Sequence, residues 1–291
     1  MTAKEKWQVQ HIVEGSPSYP ARLTDYPRMP KELFVQGTLP DPGKPCVAIV
    51  GSRMCSPYGR IQAFRFAKEL SRSGVQVISG LALGIDSEAH RGALDGGTPT
   101  YAVLGCGIDI QYPRTNQGLR NRMLCQGGGV LTEYPPGSQP LSYHFPVRNR
   151  IISALADLVL VVEARKRSGS LITAAYALEQ GKTVYAVPGE VQEPLSEGTN
   201  ALIFDGAGTA IAPEVILTEL GLSPGDKEET DTGRMTPGMK QIVSCIGIGA
   251  KTADQLCEET KLPVSVVSGL LLQMELMGLL YHLGEGYYGK R

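Results

Sequence analysis

The densest run of groups able to do chemistry lies between His144 and Glu190, and it begins with Phe145-Pro146-Val147-Arg148-Asn149-Arg150. Two arginines around an asparagine, at the start of a helical pattern expected over Arg148–Leu155, set cations where a helix dipole favours anions. That arrangement calls either for an anionic ligand or for internal carboxylate partners, with Arg148 and Arg150 then acting as struts of the fold. Phe145 ahead of them offers a face on which a base can stack. Further on, the basic triplet Arg165-Lys166-Arg167 leads into Ser168-Gly169-Ser170 and a helical pattern. Unpaired amides at such a helix entry suit a phosphate. Gly51-Ser52-Arg53 is a second turn of this kind, where Arg53 can add a bidentate contact, and Ser79-Gly80 opens a third. Three anion sites favour a ligand with several phosphates, and single-stranded nucleic acid fits better than a nucleotide.

Other chemistries are disfavoured by position. Gly51-Ser52-Arg53 is not the G-x-G-x-x-G fingerprint, and the second strand ends in Ser79-Gly80 where a dinucleotide site wants an acidic residue. Gly181-Lys182-Thr183 has Tyr176 where a P-loop places its first glycine, and it runs from helix to strand; it reads as a helix C-cap and strand entry. Asp86 and His90 stand one turn apart without a third partner at metal-ligand spacing, so they read as a helix cap and a structural histidine. The six cysteines (Cys46, Cys55, Cys106, Cys125, Cys245, Cys257) contain no CxxC pair, which argues against zinc and a disulfide framework and for a reducing cytosol. No stretch approaches the ~18 apolar residues of a membrane span, and no secretory leader is visible. No cofactor and no metal are expected.

The elements that must position these groups follow from the hydrophobic rhythm. Short apolar strands are expected at Val47–Val50, Val75–Ser79, Tyr101–Leu104, Gly129–Leu131, Leu158–Val162 and Thr183–Val187. Helical patterns separate them, near Gly59–Ser71, Asp86–Leu94, Thr115–Cys125, Arg148–Leu155 and Leu171–Gln180. Continuous apolar strands alternating with helices imply a doubly wound, mostly parallel α/β sheet, with ligands beyond the carboxyl ends of its strands. Residues 1–43, rich in proline and holding one strand candidate at Leu33–Val35, read as an extension lying against this domain. The domain itself covers 44–221, a polar linker 222–235, and three helical patterns with a final Gly/Tyr hairpin make 236–291 winged-helix-like. The net charge of -1 hides an asymmetry: residues 44–190 carry sixteen Lys/Arg against ten Asp/Glu, the remainder twelve against nineteen. A basic centre is compatible with an anionic partner.

The runs VAIVGSR, SGLALGID followed by AH, AVLGCGID followed by YP, TEYPPG, FPVRNRII, VVEA, SGSLITA and VPGE resemble the DNA-processing protein A (DprA/Smf) family, over about Val47 to Gly206. The resemblance implies a Rossmann-like domain that binds single-stranded DNA, protects incoming DNA during natural transformation, and helps load the recombinase RecA. It implies a homodimer and no enzymatic turnover. It carries binding roles to Gly51, Ser52, Arg53, Phe145, Arg148, Asn149 and Arg150, with Arg114 after Tyr112-Pro113 as a weaker basic candidate. The amino-terminal helical domain of some members is not expected here, because the chain reaches the Tyr19-Pro20 lead-in within twenty residues.

Two other functions compete. A phosphoribohydrolase acting on a nucleoside monophosphate wants a glutamate shortly after its glycine-rich loop, and three positions after Thr173 stands Tyr176. An adaptor whose basic face binds acidic protein is the other. In the carboxyl-terminal module the third helical pattern, Pro263–Leu276, contains no Lys or Arg, although a recognition helix brings cations to the major groove. This module is expected to contact protein or the sheet domain more than DNA.

Overall fold

The computed structural model describes residues 7–223, 235–246, 250–277, 279–282 and 286–290; the expected linker at 222–235 falls largely outside them. The chain divides into two compact units. In the larger, β1 (Gln10–Val13), α1 (Ala21–Thr24) and β2 (Glu32–Gly37) precede the alternating series. That series runs β3 (Cys46–Val50), α2 (Pro57–Arg72), β4 (Gln76–Ser79), α3 (Ile85–Gly96), β5 (Thr100–Val103), α4 (Gln117–Cys125) and β6 (Gly129–Thr132). It continues with α5 (His144–Leu155), β7 (Leu158–Val161), α6 (Gly169–Glu179), β8 (Thr183–Ala186), α7 (Glu197–Phe204), β9 (Gly208–Thr209) and α8 (Pro213–Glu219).

These strands form one sheet in the order β1-β2-β6-β5-β4-β3-β7-β8-β9. All pairings from β6 through β9 are parallel, while β1 and β2 are antiparallel additions at one edge. The doubly wound Rossmann-like architecture is present, and its order reverses beside β3: the chain moves outward through β4, β5 and β6, then returns to lay β7 on the other side. That reversal opens a crevice beyond the carboxyl ends of β3 and β7.

β3 shows why the strands read as unbroken apolar runs. Cys46, Ala48 and Val50 point into a core completed by Ile151, Ile152 and Leu155 of α5 and Ala174 and Ala177 of α6. Val47 and Ile49 point into the opposite core, with Phe66, Ala67 and Leu70 of α2 and Ile85, Ala89 and Ala93 of α3. Both faces are covered, so every residue of β3 is buried. Lys182 fixes the far end of α5. Its ammonium donates to the carbonyls of Ser153, Ala154 and Ala156, and burial holds its pKa down to about 8.

Two expectations are corrected. The segment before residue 44 is not an extension lying on the domain but part of the sheet, with β2 paired to β6. Its Tyr19-Pro20 and Tyr26-Pro27 pairs fall in the connection between β1 and β2, where proline breaks no ladder. α5 starts four residues earlier than its periodicity suggested, with Pro146 tolerated in the first turn. Arg148 and Arg150 are therefore mid-helix residues and do not oppose the dipole.

The smaller unit holds α9 (Pro237–Ile246), β10 (Lys251–Thr252), α10 (Ala253–Thr260), α11 (Val264–Leu276), β11 (Leu280–His282) and β12 (Tyr287–Lys290), with the strands in the order β10-β12-β11. It is a winged helix around Met239, Ile242, Leu256, Val267, Leu271 and Met274. Thr252 and Gln255 form a reciprocal capping box at the start of α10. Val264, Leu272 and Leu276 of α11 are exposed. No helix among the described residues is long and apolar enough to cross a membrane.

His90 lies fully buried in α3, its Nδ1 2.8 Å from Thr100 Oγ1. Burial, aided by Arg148 and Arg91, pushes its pKa from 6.5 down to about 3. The fold therefore excludes a proton that the unfolded chain binds, so this contribution is whole above pH 6.5 and is lost as pH falls toward about 3. Asp86, whose pKa burial raises, tilts stability the other way. Thermal melts of the chain are expected to fall more steeply on acidification from pH 6.5 than those of His90→Asn, which isolates the histidine's share.

Candidate nucleic-acid interface

Each strand that ends at the crevice delivers a loop to it. After β3, the Ser52 amide donates to Glu163 O at 2.8 Å and the Ser52 carbonyl accepts from Ile85 N–H at 3.2 Å. Gly51 is required because a Cβ there would stand 2.6 Å from Ile85 and 2.9 Å from Glu163 O. The Ser52 amide is thus used by the sheet and is not the free phosphate donor that the turn suggested. Arg53 then projects over the Phe145 ring, 4.9 Å from its centroid.

After β7, the loop carrying Arg165 and Arg167 is pinned from below. Ala164 N–H donates to Leu195 O at 2.8 Å and Gly198 N–H to Ala164 O at 2.7 Å. A Cβ on Gly198 would approach Ala164 O to 2.7 Å and Arg165 O to 2.9 Å. Ser168 caps α6, accepting from Ser170 N–H at 3.4 Å, and the two hydroxyls lie 2.7 Å apart. Asn149 on α5 donates to Gly169 O at 3.1 Å, joining the two helices at the crevice.

These loops enclose a cleft of about 480 Å³. Gly51, Ser52, Arg53, Phe145, Arg148, Asn149, Ser168, Gly169 and Ser170, all anticipated from sequence, line it together. Four arginines line it, Arg53, Arg148, Arg165 and Arg167, against one acidic residue, Asp86. That carboxylate is occupied, receiving the Gly80 and Ala82 amides at 3.1 and 3.3 Å. It caps the loop before α3 and not the helix itself, whose N-cap is Gly84. Arg165 and Arg167 were not singled out as contacts from sequence, although the triplet beside Ser168-Gly169-Ser170 was the available signal.

Other anticipated residues take different roles. Arg150 is a strut: its guanidinium makes two 2.6 Å bonds to the Glu133 carboxylate and a third, at 2.9 Å, to Arg28 O. Arg148 lines the cleft but is buried, donating to Gly80 O at 3.0 Å and to Val103 O. Burial pulls its pKa down to about 10 against the attraction of Asp86. Ser79 is wholly buried and donates to Ile49 O at 2.6 Å, so it ties strands and meets no ligand. Gly80 lies in a smaller slot beside the cleft. Arg114 is exposed on the short turn Arg114–Asn116, outside the cleft lining. Phe145 is half-buried, and a Cβ on Gly105 would touch its ring at 2.8 Å. Between Gly105 and the Arg53 guanidinium it is not the open platform expected. Among the described residues no group of His, Cys, Asp and Glu could hold a metal ion.

The DNA recombination-mediator protein A family matches residues 10–221, and the DprA winged helix domain matches 228–286. The chain belongs to the DNA recombination-mediator protein A family. It is 40% identical to Protein Smf of Escherichia coli, over 95% of this chain and 76% of that protein. Its fold resembles the crystal structure of DNA processing protein A from Streptococcus pneumoniae, with a TM-score of 0.69 and 41% identity over 73% of this chain and 74% of that one. It also resembles DNA processing protein A from Helicobacter pylori, with a TM-score of 0.65 and 29% identity over 74% of this chain and 96% of that one; that structure concerns a single-stranded DNA binding mode. Family membership gives this chain a DNA-processing role.

The strut reading of Arg150 has a measurable consequence. In a double-mutant cycle with Arg150→Met and Glu133→Gln, urea denaturation is expected to show a coupling energy of about 1–3 kcal/mol. Independent, additive effects would contradict the pairing.

Proposed function

We propose that the cleft beyond β3 and β7 binds single-stranded DNA through its phosphates and that the chain acts as a recombination mediator, delivering the strand to the RecA recombinase. The observation that carries this reading is the charge of the cleft: four arginines converge at the topological switch point against one carboxylate already held by two amides. The single-stranded DNA binding mode described for the Helicobacter pylori relative supports it.

Binding without turnover is part of the proposal. The cleft presents guanidinium groups and the Gly169 amide end of α6, and Tyr176 stands where a phosphoribohydrolase would keep its glutamate. Release of free base from a nucleoside monophosphate by the pure protein would revive the enzymatic alternative. The chain works in the cytosol, in keeping with its free cysteines. A homodimer, as the family resemblance implies, is part of the proposal.

Phosphate contacts release counterions, so the logarithm of affinity falls with the logarithm of salt by about 0.7 per phosphate neutralised on a single strand. Replacing Arg165 and Arg167 together by alanine is expected to weaken binding of a labelled oligonucleotide and to flatten that slope by about 1.4. A titration at several salt concentrations measures both quantities; an unchanged slope sinks the cleft as the phosphate site.

A further inference from the structure

We propose that Asn116 is a positioning residue for the strand-binding cleft: it clamps the loop between β4 and α3 and through it sets the backbone from which Arg53 projects. The inference rests on the proposed single-stranded DNA binding and gives a role in it to a residue outside the cleft lining. Asn116 ends the short turn Arg114–Asn116, on the connection from β5 to α4, and is 3% exposed although it is polar. Its side-chain amide nitrogen lies 2.9 Å from Leu81 O, 3.2 Å from Ala82 O and 2.9 Å from Ser87 Oγ. All three must accept. The two carbonyls carry no proton, and the Ser87 hydroxyl donates its own to Ala82 O at 2.6 Å.

The backbone of the loop explains why a clamp is needed. Leu81 holds a positive φ of 56°, the left-handed region in which the Cβ of an L-residue crowds the carbonyl oxygen that follows it. Its side chain is packed into the core with Leu104, Ile108 and Met123, and the bond that its carbonyl accepts from Asn116 is buried. A buried carbonyl without a donor is costly, so Asn116 stabilises this conformation over others that would turn the carbonyl away. Asp86 collects the amides of Gly80 and Ala82, and Arg148 serves Gly80 O. Asn116 adds the support of the carbonyls of Leu81 and Ala82, brought from a third part of the chain.

The loop passes this constraint to Arg53. It ends at Gly84, where a Cβ would stand 2.3 Å from Ser52 O and 2.6 Å from Arg53 O. The next amide, Ile85 N–H, donates to Ser52 O at 3.2 Å. The turn that carries Arg53 therefore lies directly on the loop, and Arg53 and Ala82 line the same cleft. Releasing the clamp lets Leu81 leave the left-handed region and shifts the support under Ser52 and Arg53.

The test measures binding of a labelled single-stranded oligonucleotide to the full chain over a series of salt concentrations. Asn116→Ala is expected to flatten the salt slope by the share of one phosphate, about 0.7, as Arg53→Ala does. Residues that act independently multiply their losses to within about twofold. Because Asn116 acts through Arg53, adding Asn116→Ala to Arg53→Ala should lower affinity by no more than about twofold. A merely structural asparagine would lower it whether or not Arg53 is present. If Asn116→Ala does not fold, Ser87→Ala takes its place, because it removes the hydroxyl bound to both Asn116 and Ala82 O; a flattened slope and the same dependence on Arg53 are expected. An unchanged slope for the folded variant or for Arg53→Ala, or a further loss beyond about twofold on top of Arg53→Ala, overturns the clamp. Where the Arg165 and Arg167 substitutions still flatten the slope, the phosphate site stands and the clamp alone is wrong. Where they do not, both fall.

Discussion

One buried charge holds the carboxyl edge of this sheet in shape. Arg148 leaves the middle of α5 and donates to the carbonyls that end β4 and β5, at Gly80 and Val103. Beside it Asp86, from the first turn of α3, gathers the amides of Gly80 and Ala82. Two strands, two helices and the loop between β4 and α3 therefore meet at one ionic node. Desolvation dominates it: the Arg148 pKa falls although Asp86 attracts it, and the Asp86 pKa rises although Arg148 attracts it. Removing the Asp86 carboxylate would take away the largest attraction acting on the buried Arg148 guanidinium. Such a node specifies geometry more than it adds stability.

The binding surface is built outward from that node. Gly84 leaves no room for a side chain against the carbonyls of Ser52 and Arg53, so the loop organised by Asp86 sets the backbone from which Arg53 projects. Arg53 in turn lies over Phe145, one turn before Arg148 on α5. On the other side Asn149 joins α5 to the start of α6, and the segment from Leu195 to Gly198 pins the loop that carries Arg165 and Arg167. The packed loops thus present several cationic side chains to one cleft, which suits a ligand recognised by its repeating charge.

The same physics separates the two arginines of the Phe145–Arg150 run. Both are cations on one helix, two positions apart, and they face different surroundings. Arg150 finds the Glu133 carboxylate and is satisfied inside the chain, whereas Arg148 meets carbonyl oxygens and keeps a buried Nε without a hydrogen-bond partner among the described residues. Local sequence could state the two possible roles but could not assign them, since Glu133 and Gly80 lie 17 and 68 residues away.

By itself the sequence determined the alternation of strands and helices, the Rossmann-like class, the winged helix, and the loops at Gly51-Ser52-Arg53 and Ser168-Gly169-Ser170 that face one cleft. These follow from hydrophobic period and turn chemistry, which act over a few residues. Tertiary structure decided that β1 and β2 complete the sheet, that Arg165 and Arg167 belong to the cleft while Arg114 and Arg150 do not, and that Tyr112 is exposed where Phe145 is covered. Each of these depends on what a side chain or strand edge meets from a distant part of the chain. Single-sequence patterning carries no record of such partners, because burial and charge pairing are properties of the packed molecule.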